Sequence, residues 1–516
     1  MARYDVAIIG AGHNGLTAAC VLAKAGRRVV VLERREVTGG MCASEEFQPG
    51  YRSSGLLHDT AQVRSAVVEA LRLDQHGLDL VAPPAMLLTG ADRPGVMIHP
   101  SNEATAADIA AISAHDAGRW SAYQDFIGRV RSVIEPLLND TPPDIGAIGT
   151  LQSGSLGTLL KSAMSFQKLG RREMAEVLRV PPMCVADWLN EWFENDLLKA
   201  GLAHGALVGM WAGPWSPGTA ANLLLAGCTT TSAVKGGAGA LAVALERAAR
   251  HHGAEIRTST EVASVAMSGG SARGVVLATG EVIEASAVAA SCDPRTLFLD
   301  LIPAGLLPVA FEHRVSVVRA RGTTAKVHLA LDRPLEFAAK PGERVERART
   351  ATTLDDLERA FDAVKYGRAS DHPVLDIHVP SVASPAMAPD GCDSVSLLVH
   401  FAPHALTGGW TDAARAALGD AAIAALERVA PGVGKAVVGR EVLTPADIAA
   451  RYGASGGHIH HAEHALDQLA IRPTLDTMRY ATPVANLYLC GSGSHPGGGV
   501  TCAPGALGAA AVLSRR

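Results

Sequence analysis

The chain has 516 residues, of which 48% are hydrophobic and 19% are charged. This length exceeds what one hydrophobic core usually organises, so length and composition together predict a globular protein of two domains. The formal net charge of -5 gives no reason to expect a polyanionic partner, and we expect no binding to nucleic acid.

The eight cysteines form no C-x-x-C pair and show no spacing typical of a metal site. This pattern predicts free thiols in a reducing compartment and argues against a disulfide reductase, which needs a redox-active pair. No window of about 18 residues is continuously apolar, so we expect no transmembrane segment. The pairs Arg27-Arg28 and Arg34-Arg35 flank a predicted strand and do not resemble an export signal. We therefore expect a cytoplasmic protein, and peripheral contact with a membrane is left open.

The first forty residues contain a dinucleotide-binding pattern. Residues 6–9 predict a strand, and residues 16–25 predict a helix. Between them lie three glycines, which are Gly10, Gly12 and Gly15. In such a unit the glycines permit a tight turn, close approach of a pyrophosphate and close packing of the helix on the strand. A second apolar run at residues 29–32 ends in Glu33, whose carboxylate can accept a hydrogen bond from a ribose hydroxyl.

The glycine pair that follows narrows the choice of cofactor. Gly39 and Gly40 resemble the paired glycines of FAD-binding flavoproteins of the amine oxidase and phytoene desaturase superfamily. The resemblance implies FAD as the cofactor, with the glycine pair lying against the flavin nucleotide. Further residues of this chain match the segments that hold the cofactor in that family. These residues are His13, Asn14, Arg34, Met41, Leu56, Val262, Gly491, Gly499 and Val500.

The C-terminal segment carries the second part of the resemblance. An apolar run at residues 487–490 reaches Gly491, and glycines 497–499 precede an alanine-rich helix that extends to Leu513. This order resembles the C-terminal FAD signature of phytoene desaturases and, more closely, of the pyridine nucleotide-disulphide oxidoreductase domain-containing branch. Amine oxidases carry an acid after the glycine that matches Gly491, whereas this chain has Ser492. The difference favours the desaturase branch.

The middle of the chain is predicted to hold a substrate domain. Residues 102–138 predict amphipathic helices, and residues 139–157 predict a loop or a joint between domains. Residues 159–225 contain four of the six tryptophans, which either line a pocket for a hydrophobic substrate or form the core of a helical subdomain. Further strands are predicted at residues 261–265, 274–277, 288–290, 326–331 and 395–400.

Two segments supply candidate catalytic histidines. His58 lies in a segment that runs along the isoalloxazine ring in the family, so it is either a polar group beside the flavin or a structural histidine. Residues 458–464 hold four histidines and Glu463, and a helix would place His460 and His464 on one face. We expect a loop beside the flavin or the substrate here, and no metal, because the family has a similar loop that implies none. His58 and His460 are therefore the candidate bases.

The predicted architecture is α/β, with a discontinuous Rossmann-type FAD-binding domain and an inserted mixed α+β substrate domain. The FAD-binding domain is predicted at residues 1–70, 230–300 and 465–516, and the substrate domain at residues 71–229 and 301–464.

The resemblance implies a phytoene desaturase-like dehydrogenase that moves hydride from a small, lipophilic, unsaturated substrate to the flavin. Alternatives are a saturase or cis-trans isomerase that uses reduced flavin, an amine oxidase, and a flavoprotein with structural FAD that acts through a protein partner. The sequence shows no second nucleotide fingerprint. The electron acceptor is therefore left open, with oxygen or a quinone as candidates.

Overall fold

The computed structural model describes residues 4–91, 94–143, 156–350, 352–469 and 471–514. The strands are β1 (Tyr4–Ile9), β2 (Val29–Leu32), β3 (Glu46–Gln48), β4 (Tyr51–Arg52), β5 (Leu80–Val81), β6 (Met86–Thr89), β7 (Val96–Ile98), β8 (Ala233–Val234), β9 (Glu255–Arg257), β10 (Val262–Ser268), β11 (Ser271–Leu277), β12 (Val282–Ala290), β13 (Thr324–Leu331), β14 (Arg347–Thr350), β15 (Val374–His378), β16 (Asp393–His400), β17 (Val437–Leu443) and β18 (Leu487–Leu489). The helices are α1 (His13–Lys24), α2 (Ser65–Leu71), α3 (Asn102–Ala110), α4 (Ala114–Leu138), α5 (Leu156–Lys168), α6 (Gly170–Arg179), α7 (Val185–Trp192), α8 (Asp196–Leu207), α9 (Thr219–Thr229), α10 (Gly237–His251), α11 (Val309–Ser316), α12 (Leu354–Lys365), α13 (Pro380–Ala383), α14 (Asp412–Glu427), α15 (Val433–Ala436), α16 (Pro445–Tyr452), α17 (Leu466–Leu469) and α18 (Ala503–Leu513).

The first sheet has the strand order β10-β11-β12-β1-β2-β9, with β18 paired to β12. Strand β1 runs parallel to both β2 and β12, and β18 also runs parallel to β12. Strands β1 and β2 are buried on both faces, which explains why their sequences are nearly continuous apolar runs. Chain segments 4–32, 255–290 and 487–489 contribute the strands. The predicted α/β class with a discontinuous Rossmann-type unit is confirmed.

The second sheet has the order β17-β13-β16-β15-β14-β6-β7. Strand β13 is antiparallel to β16 and β17, whereas β14 is parallel to β6. Successive side chains of a strand point to opposite faces, so β13 places Ala325, Val327 and Leu329 in an apolar core with residues of α14. Its alternate residues Lys326 and His328 belong to the opposite face and are also buried.

The tryptophan-rich segment contributes to the core of a helical subdomain. Tyr123 of α4 packs between Trp120 and Trp188, with ring centroids 5.8 and 5.9 Å away. Trp120 is 2% exposed and Trp188 is 1% exposed. Most of the predicted loop at residues 139–157 falls on residues 144–155, outside the described residues. Across the described ranges, no helix combines the length and the apolar composition needed to cross a bilayer.

Candidate cofactor cleft and its buried polar cluster

The turn between β1 and α1 forms one wall of a cleft. Gly10 has a φ of +93°, a conformation that favours glycine. A Cβ atom on Gly12 would meet no atom within 4 Å, so its backbone is open to a ligand, whereas one on Gly15 would lie 2.1 Å from the Gly10 carbonyl oxygen. These positions match the roles predicted for the glycines, because Gly12 leaves space for a pyrophosphate and Gly15 allows close packing.

Glu33 fixes the turn and faces the same cleft. Its Oε2 atom accepts a hydrogen bond from the Ala11 backbone at 2.8 Å, and its Oε1 atom accepts one from the Arg35 backbone at 3.0 Å. The residue is 7% exposed. Each carboxylate oxygen retains a lone pair, so the side chain can also accept a hydrogen bond from a ribose hydroxyl.

The paired glycines bring a third segment against the turn. The backbone N–H of Gly39 donates to the Ala11 carbonyl at 2.8 Å. A Cβ atom on Gly40 would lie 3.0 Å from the Cα atom of Gly12. Glycine is therefore needed at position 40 so that the two backbones can approach each other.

The C-terminal segment closes the cleft from the other end of the chain. The side-chain amide of Asn14 donates to Ser492 Oγ at 3.0 Å, which joins residues 478 positions apart. The Nε2 atom of His13 and the Oδ1 atom of Asn14 are buried and have no protein partner. Buried polar atoms normally have partners, so these two atoms suit a polar ligand bound in the cleft.

The cleft brings together nine of the fifteen residues predicted to bind the cofactor. The predicted residues in the lining are Gly10, Gly12, His13, Asn14, Glu33, Arg34, Gly40, Met41 and Val262. The predicted residues outside the lining are Gly15, Gly39, Leu56, Gly491, Gly499 and Val500. Strands from both ends of the chain, an open glycine backbone, an acidic residue at the second strand and unpartnered polar atoms together fit FAD.

Sequence reasoning missed part of the lining. Residues 451–453, at the end of α16, line the cleft but fall in the predicted substrate domain. The Arg35 guanidinium lies 5.0 Å from the centre of the Tyr452 ring, and Arg34 Nη2 donates to the Ala450 carbonyl at 2.6 Å. These contacts join distant parts of the chain, and no local motif identifies them.

Residues 53–58 separate the cleft from the second sheet. Leu57 lines the cleft, and its backbone N–H donates to the Met41 carbonyl at 3.0 Å. In the same segment, the backbone N–H of Ser54 donates to Ser396 Oγ of β16 at 3.4 Å. His58 follows Leu57 directly, so it lies where the cofactor cleft meets the polar face of the second sheet.

A buried polar cluster surrounds His58. Its Nδ1 atom lies 2.7 Å from Lys326 Nζ, and its Nε2 atom lies 3.0 Å from Asp376 Oδ1. Asp376 also accepts hydrogen bonds from Arg347 Nη2 and Arg349 Nε, each at 3.0 Å. The distances fit a neutral imidazole whose Nδ1 atom accepts a hydrogen bond from Lys326 and whose Nε2–H donates one to Asp376. Lys326 is 0% exposed.

The environment sets the charges in this polar cluster. Burial lowers the pKa of Lys326 well below its usual value, despite the opposing effect of Asp376. Burial and the nearby Lys326 also lower the pKa of His58 well below its usual value. Burial alone would raise the pKa of Asp376, but Arg347 and Arg349 hold it well below its usual value. The arrangement therefore favours a neutral His58, an ionised Asp376 and a lysine that loses its proton readily.

His460 belongs to a different group. Its ring stacks on that of His464, with centroids 4.4 Å apart and planes 8° apart. The Gly498 backbone donates to His464 Nε2 at 3.0 Å, which places these rings against the C-terminal glycine segment. Burial, together with the neighbouring His458, lowers the pKa of His460 well below its usual value. Within the described residues, no group of three or more His, Cys, Asp or Glu side chains is arranged to hold a metal ion.

Two families match this chain. Residues 8–61 match the NAD(P)-binding Rossmann-like domain, and residues 189–512 match the flavin-containing amine oxidoreductases. The chain is 36% identical to pyridine nucleotide-disulfide oxidoreductase domain-containing protein 2 of Rattus norvegicus, over 98% of this chain and 92% of the rat protein.

More distant relatives also align over nearly the whole length. One of the subunits of the limonene dehydrogenase of Castellaniella defragrans is 27% identical, over 97% of this chain and 92% of the relative. A neurosporene-forming phytoene desaturase of Cereibacter sphaeroides is 25% identical, over 98% and 93%. Among solved structures, putrescine oxidase bound to putrescine has a TM-score of 0.58 at 14% identity, covering 100% of both chains, which shows a shared fold.

Proposed function

The chain belongs to the flavin-containing amine oxidoreductase family and uses FAD, and from this premise we propose that it is a dehydrogenase of the desaturase type. Its substrate is a lipophilic, unsaturated small molecule from which hydride is removed at carbon. FAD held in the cleft would supply the hydride acceptor that this oxidation needs.

The names of the relatives support a hydrocarbon substrate. One is part of a dehydrogenase of limonene and another is a desaturase of phytoene, and both align with almost all of this chain. The rat relative is named for disulfide chemistry, which does not fit this chain because its cysteines form no C-x-x-C pair. Ser492, which lines the cleft, stands where amine oxidases carry an acid, and this supports the desaturase assignment.

The single observation that carries the proposal is the buried series Lys326–His58–Asp376 beside the cofactor cleft. Removal of hydride from an unactivated carbon leaves a cationic centre, which is relieved when a neighbouring C–H bond loses its proton. A neutral lysine shielded from water can take that proton, and the hydrogen-bonded His58 and the ionised Asp376 can stabilise the lysine cation that forms. The proposed roles are therefore base for Lys326 and positioning residue for His58, whose Nδ1 atom holds the amine.

The test is anaerobic bleaching of the flavin by defined probes. We expect limonene or an acyclic polyene to bleach it, and putrescine to leave it oxidised. Lys326→Met should retain FAD and slow bleaching about 10²–10⁴-fold, the usual contribution of a proton-transfer group. Lys235→Met is the matched control, because Lys235 has an exposed side chain, and it should bleach at the wild-type rate.

Two outcomes would reverse the assignment. Bleaching by putrescine but not by the hydrocarbons would make the protein an amine oxidase. Wild-type bleaching rates in both Lys326→Met and His58→Gln would show that the polar cluster takes no part in catalysis. His460→Gln would then be the next variant to examine, since His460 is the second predicted base.

A further inference from the structure

Arg472 is a buried cation directly behind one wall of the cofactor cleft. It is 0% exposed. Its Nη1 atom donates to the Glu463 carbonyl at 2.9 Å, and its Nη2 atom lies 3.1 to 3.4 Å from the carbonyl oxygens of His460, Ala462 and Ser492. The guanidinium therefore ties the histidine loop, which is residues 458–464, to the C-terminal glycine segment.

The charge of this guanidinium has no partner in contact with it. Among the residues that the structure describes, no carboxylate forms an ion pair with Arg472, and that of Glu463 pairs with Arg319 and Arg321 instead. Burial lowers the pKa of Arg472 to about 10, against the opposing effect of Asp293, so the side chain is charged at pH 7. A buried charge is costly, and neutral donors could also bind carbonyl groups, so the hydrogen bonds alone do not account for a cation here.

The wall in front of Arg472 belongs to the part of the cleft that suits the flavin. Glu33 is placed to bind a ribose and Gly12 leaves space for the pyrophosphate, so the rest of the lining is available to the flavin half of FAD. That part of the lining consists of Met41, Leu57, Ile459, His461 and Ser492. The Ser492 carbonyl and the carbonyls on either side of His461 accept hydrogen bonds from Arg472. Only this layer of backbone separates the cation from the cleft.

We propose that Arg472 is a positioning residue that holds the histidine loop against the flavin, and that its charge raises the reduction potential of the bound flavin. A hydride brings two electrons and one proton to the oxidised ring system, which therefore gains one negative charge. A fixed cation behind the wall stabilises this charge without having to move. The proposal rests on FAD in the cleft, but not on the substrate or on the roles proposed for Lys326 and His58.

The test is the reduction potential of the FAD-loaded protein, measured by anaerobic dithionite titration against dyes of known potential. Arg472→Gln keeps an amide donor and removes the charge, whereas Arg472→Lys keeps the charge and loses the planar fork of donors. A unit charge about 10 Å away, at an effective dielectric constant of about 20, changes the equilibrium between oxidised and reduced flavin about tenfold. For a two-electron couple tenfold is about 30 mV, so Arg472→Gln should lower the potential by at least about 30 mV. Arg472→Lys should keep the wild-type potential.

Arg314→Gln is the matched control. It removes the same charge from a side chain that is 45% exposed and paired with Asp476, so the potential should not change. A wild-type potential in Arg472→Gln would overturn the proposal. An equal fall in Arg472→Gln and Arg472→Lys would also overturn it, because the hydrogen bonds and not the charge would then be responsible.

A measurement on the wild type decides the question if both variants lose FAD. Burial, together with the charge of Arg472, lowers the pKa of the neighbouring histidines, which are His458, His460, His461, His464 and His495. If Arg472 balances the reduced ring system, reduction takes up two electrons and one proton, and the potential falls about 30 mV per pH unit between about pH 5.5 and 7.5. A second proton, taken up by the ring system or by a histidine, would give about 59 mV per pH unit and refute the proposal.

Discussion

Glu33→Gln tests the residue whose carboxylate holds the turn of the cofactor cleft. The two carboxylate oxygens of Glu33 accept hydrogen bonds from the Ala11 and Arg35 backbones at 2.8 and 3.0 Å. A glutamine has one oxygen and one amide nitrogen, so one backbone donor would face another donor inside a buried site. Leaving a buried donor without an acceptor costs about 1–3 kcal/mol, and this cost should appear as lower stability of the apoprotein.

The same substitution should weaken FAD binding further. The carboxylate is the predicted acceptor for a ribose hydroxyl, and a hydrogen bond to a charged group contributes about 1.5–3 kcal/mol. Its loss corresponds to a dissociation constant raised about 10- to 100-fold. The assay is titration of apoprotein with FAD, followed by quenching of flavin fluorescence, with a thermal melt of the apoprotein alongside.

The control is Glu36→Gln, which removes an exposed charge from the same loop. It should leave both the affinity for FAD and the melting temperature of the apoprotein unchanged. Wild-type affinity and an unchanged melt in Glu33→Gln would refute the reasoning, because Glu33 would then neither hold the turn nor bind the ribose.

Two further predictions concern electron flow and pH. The sequence shows one dinucleotide fingerprint, so NADH and NADPH should reduce the flavin slowly under anaerobic conditions. Stoichiometric bleaching of the flavin within seconds would instead support a saturase or isomerase that uses reduced flavin. Burial lowers the pKa of His13, His400 and His495 to about 4, so the unfolded chain takes up protons below about pH 6.5 while the folded protein does not. Stability should therefore fall between about pH 6.5 and 4, by about 2 kcal/mol per histidine at about pH 5, and a melting temperature equal at pH 7.5 and 5 would contradict this.

Local patterns were sufficient to predict the nucleotide-binding unit. The strand, turn and helix of residues 4–24 follow from adjacent residues, and each step has a distinct local signal. The predicted strands at residues 261–265, 274–277 and 288–290 overlap β10, β11 and β12. Such signals suffice when the residues that build a feature are close in sequence.

The second sheet shows where local patterns fail. The sequence predicts a strand at residues 326–331, and β13 occupies residues 324–331. Polar residues at alternate positions usually indicate a face turned to water, yet Lys326 and His328 are buried. Strand β14 was missed, because residues 347–350 have a polar sequence that gives no strand signal. Arg347 is buried there because the chain brings the carboxylate of Asp376 against it.

The energetic cost of this polar cluster argues for a role in the reaction. Desolvating charged groups is expensive, and well-packed apolar residues often replace a buried ion pair without loss of stability. Perturbed ionisable groups of this kind concentrate at functional sites. If the polar cluster only joined the second sheet to residues 53–58, Lys326→Met would remove a costly buried amine. The bleaching rate would then stay unchanged, and the stability of the protein would stay unchanged or rise. If Lys326 takes the substrate proton, the same variant must lose rate while keeping FAD, because Asp376 remains neutralised by Arg347 and Arg349 and the fold needs no charge at position 326.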